Sequence, residues 1–196
     1  MPDQGRTTVG QAGVRSQSSP PGRIKIMEAL RSLLEDKAFT AITTAEIART
    51  AGVTEGLIYK YFQDKRDLLH QVLAEYVERF VAQIEMDLKG IKGALNKLRK
   101  IIWTHIYMYA SDRVFARILL LEVRNVPNYF QSEAYAIVRR YTDLLGAIIE
   151  EGVAEGSIMD EVPVASIRQV VLGGIEHLCL RQVIFNREID PDQLHN

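Results

Sequence analysis

One stretch restricts the fold of this chain more than any other: Thr43-Thr44-Ala45-Glu46-Ile47-Ala48-Arg49-Thr50-Ala51-Gly52-Val53-Thr54-Glu55-Gly56-Leu57-Ile58-Tyr59-Lys60-Tyr61-Phe62. It reads as two short helices joined by a tight turn. Thr43 can accept a backbone N–H at the start of the first helix, and Glu46 can reach back to complete a capping box. Ile47, Ala48 and Ala51 give that helix an apolar face, and Ala48 is small enough for a second helix to cross closely. Gly52 falls where the chain must leave the helix through a left-handed conformation that glycine adopts without strain. Val53 plugs the angle and Thr54 stands as the cap of the second helix. Leu57, Ile58 and Phe62 then point inward, leaving Glu55, Gly56, Tyr59, Lys60 and Tyr61 outward. A short helix showing a glycine, two tyrosines and a lysine suits the major groove of DNA: small near the bases, hydroxyl-bearing and cationic near phosphates.

The rest of the chain carries helical periodicity, with no useful β-alternation and no internal repeat, so the fold class is all-α. Met1 to Gly22 is rich in Gly, Ser, Gln and Pro and has the composition of a disordered tail. Pro20-Pro21-Gly22 is expected to bar a helix until Arg23, after which Ile24, Met27, Leu30, Leu33 and Leu34 share one face as far as Asp36 to Ala38. Arg23 and Lys25, at the start of that helix, are candidates for the DNA backbone. Asp64 caps a helix reaching about Leu88, a rod of roughly 35 Å that can act as a lever. Ala94 to Ala110 is apolar almost all round in its second half, as a central buried helix would be. Ser111-Asp112 reads as the cap of a shorter helix running to about Arg124. Pro127 is expected to open a helix to about Glu151, and Pro163 a last long one, Val164 to Phe185.

Charge and composition narrow the function. The net charge of -1 would argue against a nucleic-acid partner, but its distribution does not. Arg23 to Arg66 holds eight Lys/Arg against six Asp/Glu, while Asp67 to Asn196 holds fourteen against eighteen. A mildly basic end on an acidic body is compatible with docking DNA at that end. The single cysteine, Cys179, has no internal partner, which points to a reducing, cytoplasmic setting. No apolar run approaches the ~20 residues that span a bilayer, and the N-terminus has no hydrophobic signal core. His70, His105, His177 and His195 form no ligand pair at helical spacing, and Cys179 has no evident base beside it. Gly173-Gly174 lies within a helix and reads as a packing feature rather than a phosphate loop. Neither a cofactor nor a metal is implied, and an enzyme, a metal sensor or a non-regulatory helical interaction protein has less support than a DNA-binding regulator.

The segment from Arg23 to about Leu73 resembles the DNA-binding domain of TetR-family transcriptional regulators. The residues carrying the likeness are Thr43-Thr44-x-x-Ile47-Ala48, Ala51-Gly52-Val53-Thr54-x-Gly56-x-x-Tyr59-x-Tyr61-Phe62 and Lys65-x-x-Leu68-Leu69. The remainder is similar in layout to that family's ligand-binding and dimerisation domain. The implied organisation is a tail over residues 1–22, a three-helix helix-turn-helix domain over 23–66 and a helical bundle over 67–196. By family position, Thr44, Thr54, Tyr59, Tyr61 and Lys65 would touch phosphates, with Glu55, Gly56 and Lys60 nearest the base edges. Glu55 departs from the small, polar or basic residues often found there. Two roles stand open for it: accepting from a cytosine amino group, or acting as a favourable charge at a helix N-terminus.

A homodimer follows from both physics and resemblance, because one short helix reads too few base pairs, and paired copies read a pseudo-palindrome. The candidate interface is a stripe on the final long helix formed by Val164, Ile167, Val171, Gly174, Ile175 and Leu178. In the body, Trp103, Tyr107, Phe115, Leu119, Tyr129, Phe130, Tyr135 and Tyr141 exceed the aromatic surface a minimal bundle needs. They are candidates to line an apolar pocket, with His105, Glu122 and Arg124 as polar anchors. The Leu120-Leu121-Glu122-Val123-Arg124 segment and the layout look like family members that sense fatty acyl groups. The resemblance therefore implies a repressor released from a double-stranded DNA operator by a small hydrophobic effector.

Overall fold

The computed structural model describes residues 19–195, so nearly all of the tail expected over residues 1–22 lies outside the described residues. Among the described residues every regular element is helical. Helices α1 (Pro21–Asp36), α2 (Thr44–Ala51) and α3 (Glu55–Tyr61) form the N-terminal unit, with a 3-10 turn, Phe39–Ala41, leading into α2. Helix α4 (Lys65–Asp87) leaves this unit and enters the body, formed by α5 (Ala94–Ser111), α6 (Arg113–Arg117), α7 (Glu133–Ala154), α8 (Val164–Ile184) and α9 (Pro191–His195). Ile26, Leu30, Ile47, Ile58 and Phe62 bury the first unit, and Ile101, Tyr109, Phe115, Leu145 and Cys179 the body. The two cores are continuous, because α4 buries Leu68, Leu69 and Val72 near its start and Val77, Phe80 and Ile84 further along. Each of these fully buried aliphatic or aromatic side chains stabilises the fold by about 1.5–3 kcal/mol.

Local chemistry explains most boundaries. Thr43 accepts from the Glu46 N–H at 3.1 Å, Asp64 from Arg66 and Asp67, Asp112 from Phe115, and Ser132 from Tyr135. Gly52 closes α2 at φ 65°, and the Val53 N–H returns to the Ala48 carbonyl at 2.9 Å.

Five expectations need correction. Pro21 and Gly22 do not bar a helix; they are its first residues, since a proline at the first position forfeits only an N–H that has no helical partner. The capping box is half made, for the Glu46 carboxylate pairs with Lys37 instead of the Thr43 N–H. Thr54 occupies the cap position of α3 without a side-chain cap bond. Pro127 opens a 3-10 turn, Pro127–Gln131, and Ser132 starts α7. The helix expected to continue to about Arg124 changes register after Arg117 into a π-helical turn, Ile118–Glu122, closed by Val123 N–H to Ile118 O at 3.3 Å. Such turns expand the backbone locally and recur at functional sites.

Candidate nucleic-acid interface and effector cavity

Helix α3 is seated by Ile58, fully buried, and by the half-buried Leu57, which leaves Glu55, Gly56, Tyr59 and Lys60 exposed on its outer side. Tyr61 is half-buried, with the Lys60 ammonium 5.9 Å from its ring centroid. Thr54 is exposed, and Thr44 donates to the Glu55 carboxylate at 2.9 Å, tying the start of α2 to the start of α3. This bond holds a negative charge at the positive end of a helix. The exposed face therefore combines a backbone bare at Gly56, a phenol 56% exposed at Tyr59 and one cation at Lys60.

The Lys65 ammonium is engaged within the unit. It donates to the carbonyls of Phe39 (3.0 Å) and Ile42 (2.5 Å) and rests 4.4 Å from the Phe39 ring centroid. Burial, then the neighbouring Arg66, lowers its pKa. Two of its three donors thus pin the loop between α1 and α2. Arg23, also singled out for the backbone of DNA, spans α1 and α4 through Gln71 at 2.7 Å and Glu75 at 3.4 Å, whereas Lys25 is exposed.

In the body a cavity of about 110 Å³ lies between α4, α5, α6, α7 and α8. Val77, Phe80, Met108, Phe115, Leu119, Val138 and Leu172 make its walls apolar. His105 sits in the wall with Nδ1 2.8 Å from the Tyr141 hydroxyl, while its Nε2 and the Tyr109 hydroxyl are buried without a partner. Burial drives the His105 pKa down to about 3 and the phenols of Tyr109 and Tyr141 up, so all three are neutral near pH 7. At one side the cavity is bounded by a bidentate pair in which Arg124 donates to both oxygens of Glu176, Nη2 to Oε1 at 2.5 Å.

The structure brings five of the eight ligand candidates, His105, Phe115, Leu119, Arg124 and Tyr141, to this cavity, and leaves Trp103, Tyr107 and Glu122 outside its lining. Trp103 and Tyr107 stack on each other at 5.0 Å on the outer side of α5, where the Trp103 indole donates to Asp192 of α9 at 2.8 Å. Glu176 and Tyr109, absent from the sequence-based set, complete the polar part of the wall. Tyr129 is buried, packed against His70, Phe130 and Tyr135 rather than in the cavity. On α8, Ile175 is buried in the subunit and Val164, Ile167 and Val171 are partly covered. Gly174 and Leu178 face outward, together with Val170, 74% exposed. Among the described residues no His, Cys, Asp and Glu cluster could hold a metal ion, and no helix is long and apolar enough to cross a membrane.

Among known proteins, two family models match the chain. Residues 26–72 match the family model of bacterial regulatory proteins of the tetR family, and residues 73–194 match that of the C-terminal region of YsiA-like proteins. The fatty acid metabolism regulator protein of Bacillus subtilis is 28% identical over 176 residues, 90% of this chain and 91% of its own. Among solved structures, the transcriptional regulator FadR from Bacillus subtilis in complex with stearoyl-CoA superposes with a TM-score of 0.79 at 28% identity, covering 88% of this chain and 93% of that one. The fatty acid degradation regulator FadR from Bacillus halodurans shares the fold at a TM-score of 0.80 and 23% identity, over 91% and 95% of the two chains.

Proposed function

The chain belongs to the TetR family and is a DNA-binding transcription regulator, and from that premise we propose that it is a homodimeric repressor released by a long-chain acyl thioester. Residues 23–66 read the operator, and residues 67–196 pair the subunits and bind the effector. Thr44, Thr54, Tyr59, Tyr61 and Lys65 meet or position the phosphate backbone, and Glu55, Gly56 and Lys60 approach the bases. The outer side of α8 around Gly174 and Leu178 meets a second copy, and two recognition helices then reach half-sites about 34–36 Å apart or a multiple of it.

The observation that carries the effector reading is the apolar cavity itself, with neutral polar groups buried without partners and a wall made partly by α4 and α6. A relative 28% identical along nearly its whole length has been solved with stearoyl-CoA, which supports the chemical class. At about 110 Å³ the cavity is smaller than the roughly 300 Å³ at which drug-sized ligands are held, so filling it must part its walls. One wall, Phe115, sits two residues before Arg117, whose guanidinium donates to the Leu34 and Glu35 carbonyls at the end of α1. Displacing α6 therefore moves α1, and the ligand favours the conformation that no longer fits both half-sites.

DNA selection with the purified chain tests the reading. Enrichment of a palindrome that stearoyl-CoA releases is the expected result, and no enrichment over random DNA rejects it.

A further inference from the structure

A second recess lies against the cavity on the other side of a thin partition. It has a volume of about 270 Å³ and is bounded by α1, α4, α5 and the start of α6. Phe80, Met108 and Phe115 belong to both spaces, so these three side chains are the partition. The recess differs from the cavity in charge. The Arg31 and Arg79 guanidiniums lie 4.6 Å and 5.2 Å from the Tyr76 ring centroid, and Asp112, 3.9 Å from Arg31, is the one carboxylate in its lining. Thr104 and Tyr76 are more than nine-tenths buried in its wall. The Thr104 hydroxyl has no hydrogen-bond partner, and that of Tyr76 lies near Arg31 and Asp112 without a hydrogen bond of normal geometry. At its rim Tyr107, stacked on Trp103 and still 49% exposed, offers an aromatic face.

Two arginines, unsatisfied buried hydroxyls and an aromatic rim answer to a phosphorylated group attached to a planar ring. An apolar cavity behind a partition of three side chains answers to an alkyl chain, and the two spaces together reach the roughly 300 Å³ of ordinary ligand sites. We propose that the recess between α1, α4 and α5 takes the phosphate-bearing head of the acyl thioester, whose chain passes between Phe80, Met108 and Phe115 into the cavity. The inference rests on the effector class proposed above and adds where the head group sits. It also adds a link to DNA binding, because phosphates compete with Asp112 for Arg31, a residue of α1.

Trp103 is the chain's single tryptophan and stacks on Tyr107 of the recess lining, so its fluorescence reports occupation of the recess. Stearoyl-CoA, coenzyme A and stearate are titrated into the full-length chain, into the Arg31→Gln/Arg79→Gln variant and into Arg124→Gln. Stearoyl-CoA and coenzyme A are expected to perturb Trp103, and the wild type to prefer stearoyl-CoA to stearate. In the Arg31→Gln/Arg79→Gln variant that preference falls at least about tenfold, while Arg124→Gln keeps it. Arg31→Lys/Arg79→Lys, which retains the charge, recovers part of it, and melting curves without ligand confirm that each variant is folded. Loss of the preference in Arg124→Gln instead places the head at the Arg124–Glu176 side and overturns the inference while leaving the effector class standing. An equal fall for stearate and stearoyl-CoA overturns the assignment to phosphates. Binding of neither by the wild type overturns both readings.

Discussion

Lowering the pH destabilises this protein through His105, and the size of the effect follows from its surroundings. The ring is enclosed by Phe80, Tyr109 and Tyr141, with the Arg124–Glu176 pair beyond. Burial first, and the Arg124 charge second, take its pKa from 6.5 to about 3. A histidine depressed on folding favours the native state above its unfolded pKa, and that stability drains away as pH falls toward the folded value. At about pH 5 the unfolded chain has taken up a proton that the native state refuses, a difference of about 2 kcal/mol at 1.36 kcal/mol per unit. For a domain of this size that corresponds to a fall of about 4–8 °C in melting temperature between about pH 7.5 and pH 5. His105→Gln keeps a hydrogen-bonding partner for Tyr141 and cannot titrate. Thermal melts of both proteins across this range are expected to show the variant's pH dependence reduced by that amount. His70, whose pKa burial also lowers, contributes to both proteins and cancels in the difference. Identical pH dependence in the two proteins would refute the argument.

Other perturbations test the packing and the coupling. A Cβ at Gly152 would lie 2.5 Å from Ile158 Cδ1 and 3.1 Å from Ala94 Cβ, so Gly152→Ala is expected to lose about 1–3 kcal/mol in denaturant unfolding. Adding Ile158→Val, which removes Cδ1, should recover part of that loss. Arg117→Gln removes the bonds to the end of α1 and is expected to shrink the ratio of operator affinities measured without and with stearoyl-CoA. An unchanged ratio would show that α6 does not carry the signal. Gly174 has nothing within 4 Å of its Cβ position in the subunit, so Gly174→Leu should leave the monomer fold intact. If α8 meets a second copy there, sedimentation should show dimerisation weakened by about tenfold or more.

The parts of this fold legible in the sequence are those set by near neighbours. Thr43, Gly52 and Asp64 act on groups within a few residues, and each ends or starts a helix where its chemistry demands. Contacts between helices depend instead on how each helix is rotated about its axis. Because α5 is apolar nearly all round, nothing local separates Tyr107, 49% exposed, from Tyr109, fully buried two residues later. Glu46 and Lys65 illustrate the same limit, for the charge of each is taken by a group that the fold delivers: Lys37 for the first, two loop carbonyls for the second. Glu176 joins the cavity only because α8 brings it to Arg124 from 52 positions away.

The break after Ser111 concentrates contacts between the body and α1. Asp112 caps α6 at 2.9 Å from the Phe115 N–H and faces Arg31 of α1, Phe115 walls both the recess and the cavity, and Arg117 grips the end of α1. Six consecutive residues thus touch the cavity and the recess on one side and α1 on the other, so that under the proposed function no relay is needed between them. Replacing Asp112 can separate its two duties. Asn caps a helix as well as Asp does, so Asp112→Asn should keep the melting temperature while removing the carboxylate that competes for Arg31. Asp112→Ala loses the cap as well and about 1 kcal/mol of stability. Under the proposed placement of the head group, Asp112→Asn binds stearoyl-CoA more tightly than the wild type and releases operator at lower concentration. Weaker binding in a variant with an unchanged melting temperature would mean that the carboxylate orders Arg31 for the ligand instead of competing with it.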